Sequence, residues 1–270
     1  MFYFRSWLRR IGRGVSRITA WSRRFAKARF RAPRPIRLAI EPLEVRWVPA
    51  TNNWIGGATG TWSASTSNWS LGHIPGSSGN TSDDVTINAA TVTISSSETI
   101  NTLSISSGAT LQITGCTLTT QGTTTPQVTD NGTIDVGVGS SAGNLTLSAT
   151  TNLLTGTGSL LFSSAGGNQI TFGGTGTNTI DNTGILIHGQ HGSVTTASAG
   201  VVVTNNGTIE ADVPDGGSGG ITVRLIGSSG NGSNTGLIEA ITGGTMTVGT
   251  GAGSFTNTGT LTADGSGSSL

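Results

Sequence analysis

The sequence predicts an all-β chain: a right-handed parallel β-helix, or β-solenoid, of coils about 25 residues long, preceded by a basic amphipathic helical leader. Three observations predict it. A glycine-centred motif returns at a near-constant step, aliphatic side chains alternate along the residues that follow each glycine, and nearly all the basic residues are confined to the first fifty positions.

Of the 14 Lys and Arg, 13 precede residue 50, against only Glu41 and Glu44, a net of about +11. Residues 51–270 hold one base, Arg224, and 11 acids, about −10, so the formal charge of +1 describes neither part. No run approaches the 18 or so apolar residues of a spanning helix, and the 43 glycines are not periodic at three, as collagen requires. After residue 50 no amphipathic helix of ordinary length is written, which argues against a compact α/β enzyme. The lone Cys116 excludes an intrachain disulfide; its alternation with Leu111, Ile113 and Leu118 predicts a small buried hydrophobe. Regularly placed Ile, Leu and Val argue against disorder.

In the leader, Phe4, Trp7, Leu8, Ile11, Val15, Ile18, Trp21 and Phe25 recur at three- and four-residue steps, with arginines between them. Such a helix has an aromatic face and a guanidinium face, which suits an anionic membrane surface. Pro33 and Pro35 stop it. The expectation is a targeting segment with transient membrane contact through residues 1–30; no nucleic-acid partner is expected, because the acidic body would repel a phosphate polymer. The run from Glu41 to Ala50, with Leu43, Glu44, Arg46, Pro49 and Ala50, resembles the Leu-Glu-Asp-Arg…Pro-Ala element that follows an Arg-rich leader in secreted and surface proteins of planctomycete bacteria, with Val45 in place of the commoner Asp. The resemblance covers about ten residues. It implies export and an extracellular or cell-surface location.

Residues 51–90 carry Trp54, Trp62 and Trp69 among Gly, Asn and Pro, followed by Asp83-Asp84-Val85-Thr86-Ile87. A solenoid exposes the apolar end of its first coil, so an aromatic-rich terminal unit is expected to cover it; stacking of the three rings on sugars is the other use of flat apolar faces. The segment resembles the Trp-rich opening that precedes parallel β-helix regions in bacterial surface and autotransporter-like proteins.

Residues 91–264 form the repeats, and 265–270 a Gly/Ser tail. The motif glycines are Gly132, Gly158, Gly184, Gly207, Gly236 and Gly259, at steps of 26, 26, 23, 29 and 23. Clear copies begin at Asn131, Asn182, Asn205, Asn234 and Asn257. Two residues after each glycine stand Ile134, Leu160, Leu186, Ile209, Ile238 and Leu261, and four after it Val136, Phe162, His188, Ala211, Ala240 and Ala263. Period-two alternation places both sets on one face of a short strand, so the first set is expected to stack into an internal ladder. Asn and Gly are expected at corners that need positive φ. Further strands are expected at Leu145–Leu147, Ile170–Phe172, Val201–Val203, Ile221–Leu225 and Met246–Val248, giving two or three strands per coil.

The chemical inventory is thin. His188 and His191 have too common a spacing to imply a metal, and no cofactor is expected. Glu210 and Glu239 occupy equivalent positions and are expected as an acidic pair on the outer face, with Asp135, Leu161, Ile187 and Thr262 in the same register. The expected function is a secreted or cell-surface structural, adhesin-like β-helix without catalytic activity, in contact with cell-envelope polysaccharide or other surface proteins. Two alternatives stand beside it: a polysaccharide lyase or hydrolase, which needs Arg224 beside Glu210 or Glu239, and a glycan-binding module using Trp54, Trp62 and Trp69. The uncapped C-terminal coil is expected either to mark a truncated product or to self-associate.

Overall fold

The computed structural model describes residues 50–174, 176–180, 184–197, 200–213, 220–225, 231–249 and 253–270. The leader, with Leu43, Glu44, Arg46 and Pro49, lies outside the described residues, as do Asn182, Thr183 and Asp215.

Short strands follow from the composition. Threonine and β-branched aliphatics alternate over four residues, then Gly, Asn or Ser turns the chain; the strand Thr91–Ile94 buries Val92 and Ile94 while its two threonines face outward. Every strand pairs in parallel with its counterpart one coil away, and the described strands form three sheets of nine, nine and seven. The first sheet runs from Thr51–Asn53 through Asp84–Ile87 to Ser254–Asn257, the second from Thr59–Thr61 to Thr260–Ala263, the third from Glu98–Ile100 to Met246–Val248. The chain is therefore a β-solenoid with three strands per full coil. The repeat begins earlier than residue 91, because the tryptophan segment already supplies the opening strands of two sheets. The tail also joins: Ser269 bridges in parallel to Thr245 at the edge of the third sheet.

One aliphatic column fills the inner face of the second sheet: Val92, Leu111, Ile134, Leu160, Ile187, Ile209, Ile238 and Leu261 stand in register on successive coils. All are buried except Leu261, at the last level, which is partly covered. Here the ladder expected at Leu186 is corrected. Leu186 pairs with Ser159 and Thr208 in the half-exposed register, and Ile187 takes the interior place. That coil holds one more residue between its glycine and its strand; Ile185, also buried, keeps the alternation inward at 185 and 187. His188 is thereby turned out of the core register, and Ile187 out of the outer one.

The motif glycines are also reassigned. None of the described glycines with positive φ belongs to the motif. They are glycines because coils stack too closely for a side chain: a Cβ at Gly132 would lie 2.4 Å from the Ala109 carbonyl oxygen, at Gly236 2.2 Å from that of Gly207, and at Gly259 2.1 Å from that of Gly236. At Gly184, in the coil with the extra residue, the closest atom would be 3.2 Å away.

Candidate functional site

The tryptophan cluster is an enclosed cap. Trp62 and Trp69 are 0% and 1% exposed and Trp54 5%. Trp69 meets Trp62 and Trp54 edge-on, with ring centroids 4.7 and 5.1 Å apart. Each indole N–H donates to a carbonyl, Trp62 to Pro75, Trp69 to Trp62 and Trp54 to Gly57, at 2.9–3.0 Å. A Cβ on Gly56 or Gly60 would lie 2.6 Å from the Trp54 ring, so both glycines are packed onto its face. No flat ring face is left for a sugar, which overturns the expectation of stacking by these three residues. Behind the cap, Asp83 accepts from Asn52 Nδ2 at 3.0 Å and is hydrogen-bonded to His73 Nε2 at 2.7 Å.

Five titratable groups, Asp135, His188, Glu210, Asp212 and Glu239, lie on or beside the outer face of the second sheet. Its outward column reads Gln112, Asp135, Leu161, His188, Glu210, Glu239 and Thr262 on successive coils. Glu210 lies in register with Glu239, so two carboxylates occupy neighbouring strands, which a parallel sheet spaces about 4.8 Å apart. His188 Nδ1 is 2.8 Å from Asp212 Oδ2 at the corner beyond Ala211. Partial burial pushes the Glu210 carboxyl up from its ordinary value, with the charges of Asp212 and Glu239 adding to the push and His188 opposing it. Asp212 is held lower than usual: burial, the largest single influence, would raise it, but the His188 hydrogen bond and charge, with backbone hydrogen bonds at Asp212 and Gly189, together outweigh burial. Asp135 is pushed up by burial, although it accepts the Ser163 hydroxyl.

His191 is separate from this group, with its Nδ1 2.8 Å from the Ala165 carbonyl. Arg224, exposed, follows the strand Ile221–Val223 in the third sheet, whereas Glu210 and Glu239 belong to the second, so the constellation that an enzyme would need is not brought together. Among the described residues no three His, Cys, Asp or Glu side chains are grouped to hold a metal ion. Cys116 is buried, with its thiol hydrogen-bonded to the Ile94 carbonyl and its pKa raised chiefly by burial.

The third sheet presents a different surface. Thr99, Thr119, Thr146, Thr171 and Thr195 stand in register on five successive coils. Beside them runs a second outward column of Thr117, Asn144, Gln169, Ser193, Thr222 and Thr247. These residues are uncharged and half-buried except Gln169 and Thr247, which are exposed; exposed Arg224 follows Thr195 at the next level of the first column. Alternation alone predicts outward threonines here; their alignment into one column depends on coil-to-coil register.

Sequence reading missed the polar interior. Asn205 and Asn234 are buried in the first sheet and stack in register with Asn257, which is exposed at the last level; each Nδ2 bonds to the carbonyl of the glycine two residues on at 3.0–3.2 Å. Asn152 likewise donates to Asn178 Oδ1 at 2.5 Å. The equivalent of these turns before Gly132 is Asp130, not Asn131: Gly158 N donates to the Asp130 carbonyl as Gly236 N does to that of Asn205. An Asp or Asn two positions before every motif glycine except Gly158, which has Gly156 there, was the available signal.

Fold and faces together define a three-sheet parallel β-solenoid with an aromatic cap, one face bearing a titratable column and one bearing hydroxyl and amide columns. Comparison with protein-family models, with curated proteins and with solved structures finds no match.

Proposed function

We propose that the chain is an exported structural or adhesin-like β-solenoid of the cell surface, without catalytic activity, which meets neutral envelope polysaccharide through the outer face of its third sheet. The threonine column from Thr99 to Thr195 carries this reading. Its hydroxyls repeat at the strand spacing of about 4.8 Å, both donate and accept, and lie beside the amides of Asn144 and Gln169; from Thr99 to Thr195 the column carries no charge, and Arg224 stands at the next level. A ligand that is itself a linear, uncharged array of hydroxyls matches such a surface. The distribution of acids favours the same choice: Asp135, Glu210 and Glu239 line the second sheet, whereas on the third the charges are Glu98, in register with Leu118, and Arg224, one level beyond the last threonine. The basic leader supports export.

Two measurements test the two halves. The N-terminal sequence of protein recovered outside the cell should begin beyond the leader; protein found only in the cytosol with Met1 intact would remove the export half. Full-length protein should co-sediment with isolated neutral envelope polysaccharide, and Thr146→Glu with Thr171→Glu should abolish this without lowering the melting temperature by more than a few degrees. Undiminished sedimentation of the double variant would sink the assignment of the face.

A further inference from the structure

We propose that Asp130 is a built-in proton switch: protonated, it completes the turn that asparagine completes in later coils, and ionised, it loosens that turn and the coil stacked upon it. In the turn at Asn205, the amide oxygen accepts from Gly207 N at 3.0 Å and the amide nitrogen donates to Gly207 O at 3.0 Å. In the turn at Asp130, Oδ1 accepts from Gly132 N at the same 3.0 Å, but Oδ2 is buried without a partner. A carboxylate has no proton to offer the glycine carbonyl; a carboxylic acid does, and then reproduces the asparagine pattern at both oxygens. Asp130 is itself fully buried.

Among the described residues of the two strands that flank it, no charge compensates it. The strand Thr102–Ile105 on one side presents Leu103, Ser104 and Ile105, and the strand Asn152–Gly156 on the other presents Leu154, Thr155 and Gly156. None of these titrates. Asp135, the nearest acid along the chain, lies on the outer face of the second sheet. Burial pushes the Asp130 carboxyl up to about 7, with only the Gly132 N–H pulling the other way. Its backbone is held by Gly158 N to the Asp130 carbonyl at 2.8 Å and Ser159 N to the Gly132 carbonyl at 3.0 Å. Turning the carboxylate out to water breaks these bonds, so the amides of Gly132, Gly158 and Ser159 report the opening.

In the open turn the carboxyl titrates near its ordinary value, 3.8, and in the closed one near 7. Opening therefore becomes easier by about tenfold per pH unit between those values and levels off above the higher one. The test is hydrogen exchange of the full chain from pH 4.5 to 8.5, corrected for intrinsic rates, with Asp130→Asn as the reference. The ratio of opening in the native chain to that in the variant should rise about a hundredfold from pH 4.5 to pH 7 and only about twofold more by pH 8.5. A ratio that does not change with pH would overturn the proposal. Should the variant not fold, the ¹³C carboxyl resonance of Asp130 in the native chain decides: titration near 7 supports the switch, and titration near 4 refutes it.

Discussion

Asn234 stands on Asn205 inside the first sheet, and the Asn205 Nδ2 donates to the Asn234 Oδ1 at 2.7 Å. Asn234 in turn donates to Asn257 Oδ1 at 2.8 Å and to the Gly236 carbonyl at 3.2 Å. A buried amide in such a chain is satisfied on both sides, and its loss strands its neighbours. Asn234→Ala should cost about 3 kcal/mol, measured as a lower denaturant midpoint. Exposed Ile55→Ser should cost nothing measurable.

The motif glycines should be sensitive despite ordinary φ. Gly236→Ala places a methyl 2.2 Å from the Gly207 oxygen, so adjacent coils must part, at about 2 kcal/mol or more. Gly108 has φ +78° and open space around its Cβ, so Gly108→Ala should cost only about 1 kcal/mol. The order of the two costs, read from thermal melts, is the outcome to check; it is the reverse of what φ alone would suggest.

Trp62 seals the first coils and donates its indole N–H to the Pro75 carbonyl at 3.0 Å. Trp62→Phe leaves that carbonyl unpaired and opens a void, costing about 2–3 kcal/mol. Proteolysis should then start in residues 51–90 rather than in the later coils.

The Asp130 carboxyl also sets a pH dependence for global stability. Below 3.8 both folded and unfolded chains hold its proton and nothing is lost. As pH rises from there to about 7 the unfolded chain ionises first and the fold loses stability. At about 1.4 kcal/mol per pH unit, the loss is on the order of 4 kcal/mol. Asp130→Asn should erase this loss, so its advantage over the native chain in equilibrium unfolding should be largest at and above pH 7.

On the second sheet the signs are mixed. Glu210 is raised, first by burial and then by Asp212 and Glu239, so its penalty is absent below the ordinary value of 4.5 and present at neutral pH. Glu210→Gln should therefore stabilise modestly at pH 7 and not at pH 4. Asp212 is lowered by His188 against the effect of burial; its contribution is present above 3.8 and lost as pH falls through its folded value. His188→Ala should remove that acid-side dependence. Both effects are small, because the side chains are partly exposed to water. Paired melts at the two pH values check them.

Much of this architecture was legible in the sequence, because period-two alternation and a recurring glycine depend only on local chain geometry. The expected strands at Leu145–Leu147, Ile170–Phe172 and Met246–Val248 all lie in the third sheet. Glu210 and Glu239 stand in register because their coils have the same length between glycine and strand. The ladder failed at Leu186 because Ile185, Leu186 and Ile187 are all aliphatic, so alternation there fits either register.

The sequence by itself determined the repeat, the inward aliphatics and the division between a basic leader and an acidic body. Only the tertiary structure decided which side chains stand on which. It placed Ile187 rather than Leu186 in the core, enclosed Trp54, Trp62 and Trp69, aligned Thr99 through Thr195, and made Asp130 the counterpart of Asn205. The reason is physical: each strand alternates on its own, but column membership is set by backbone hydrogen bonds between coils, and one added corner residue shifts it.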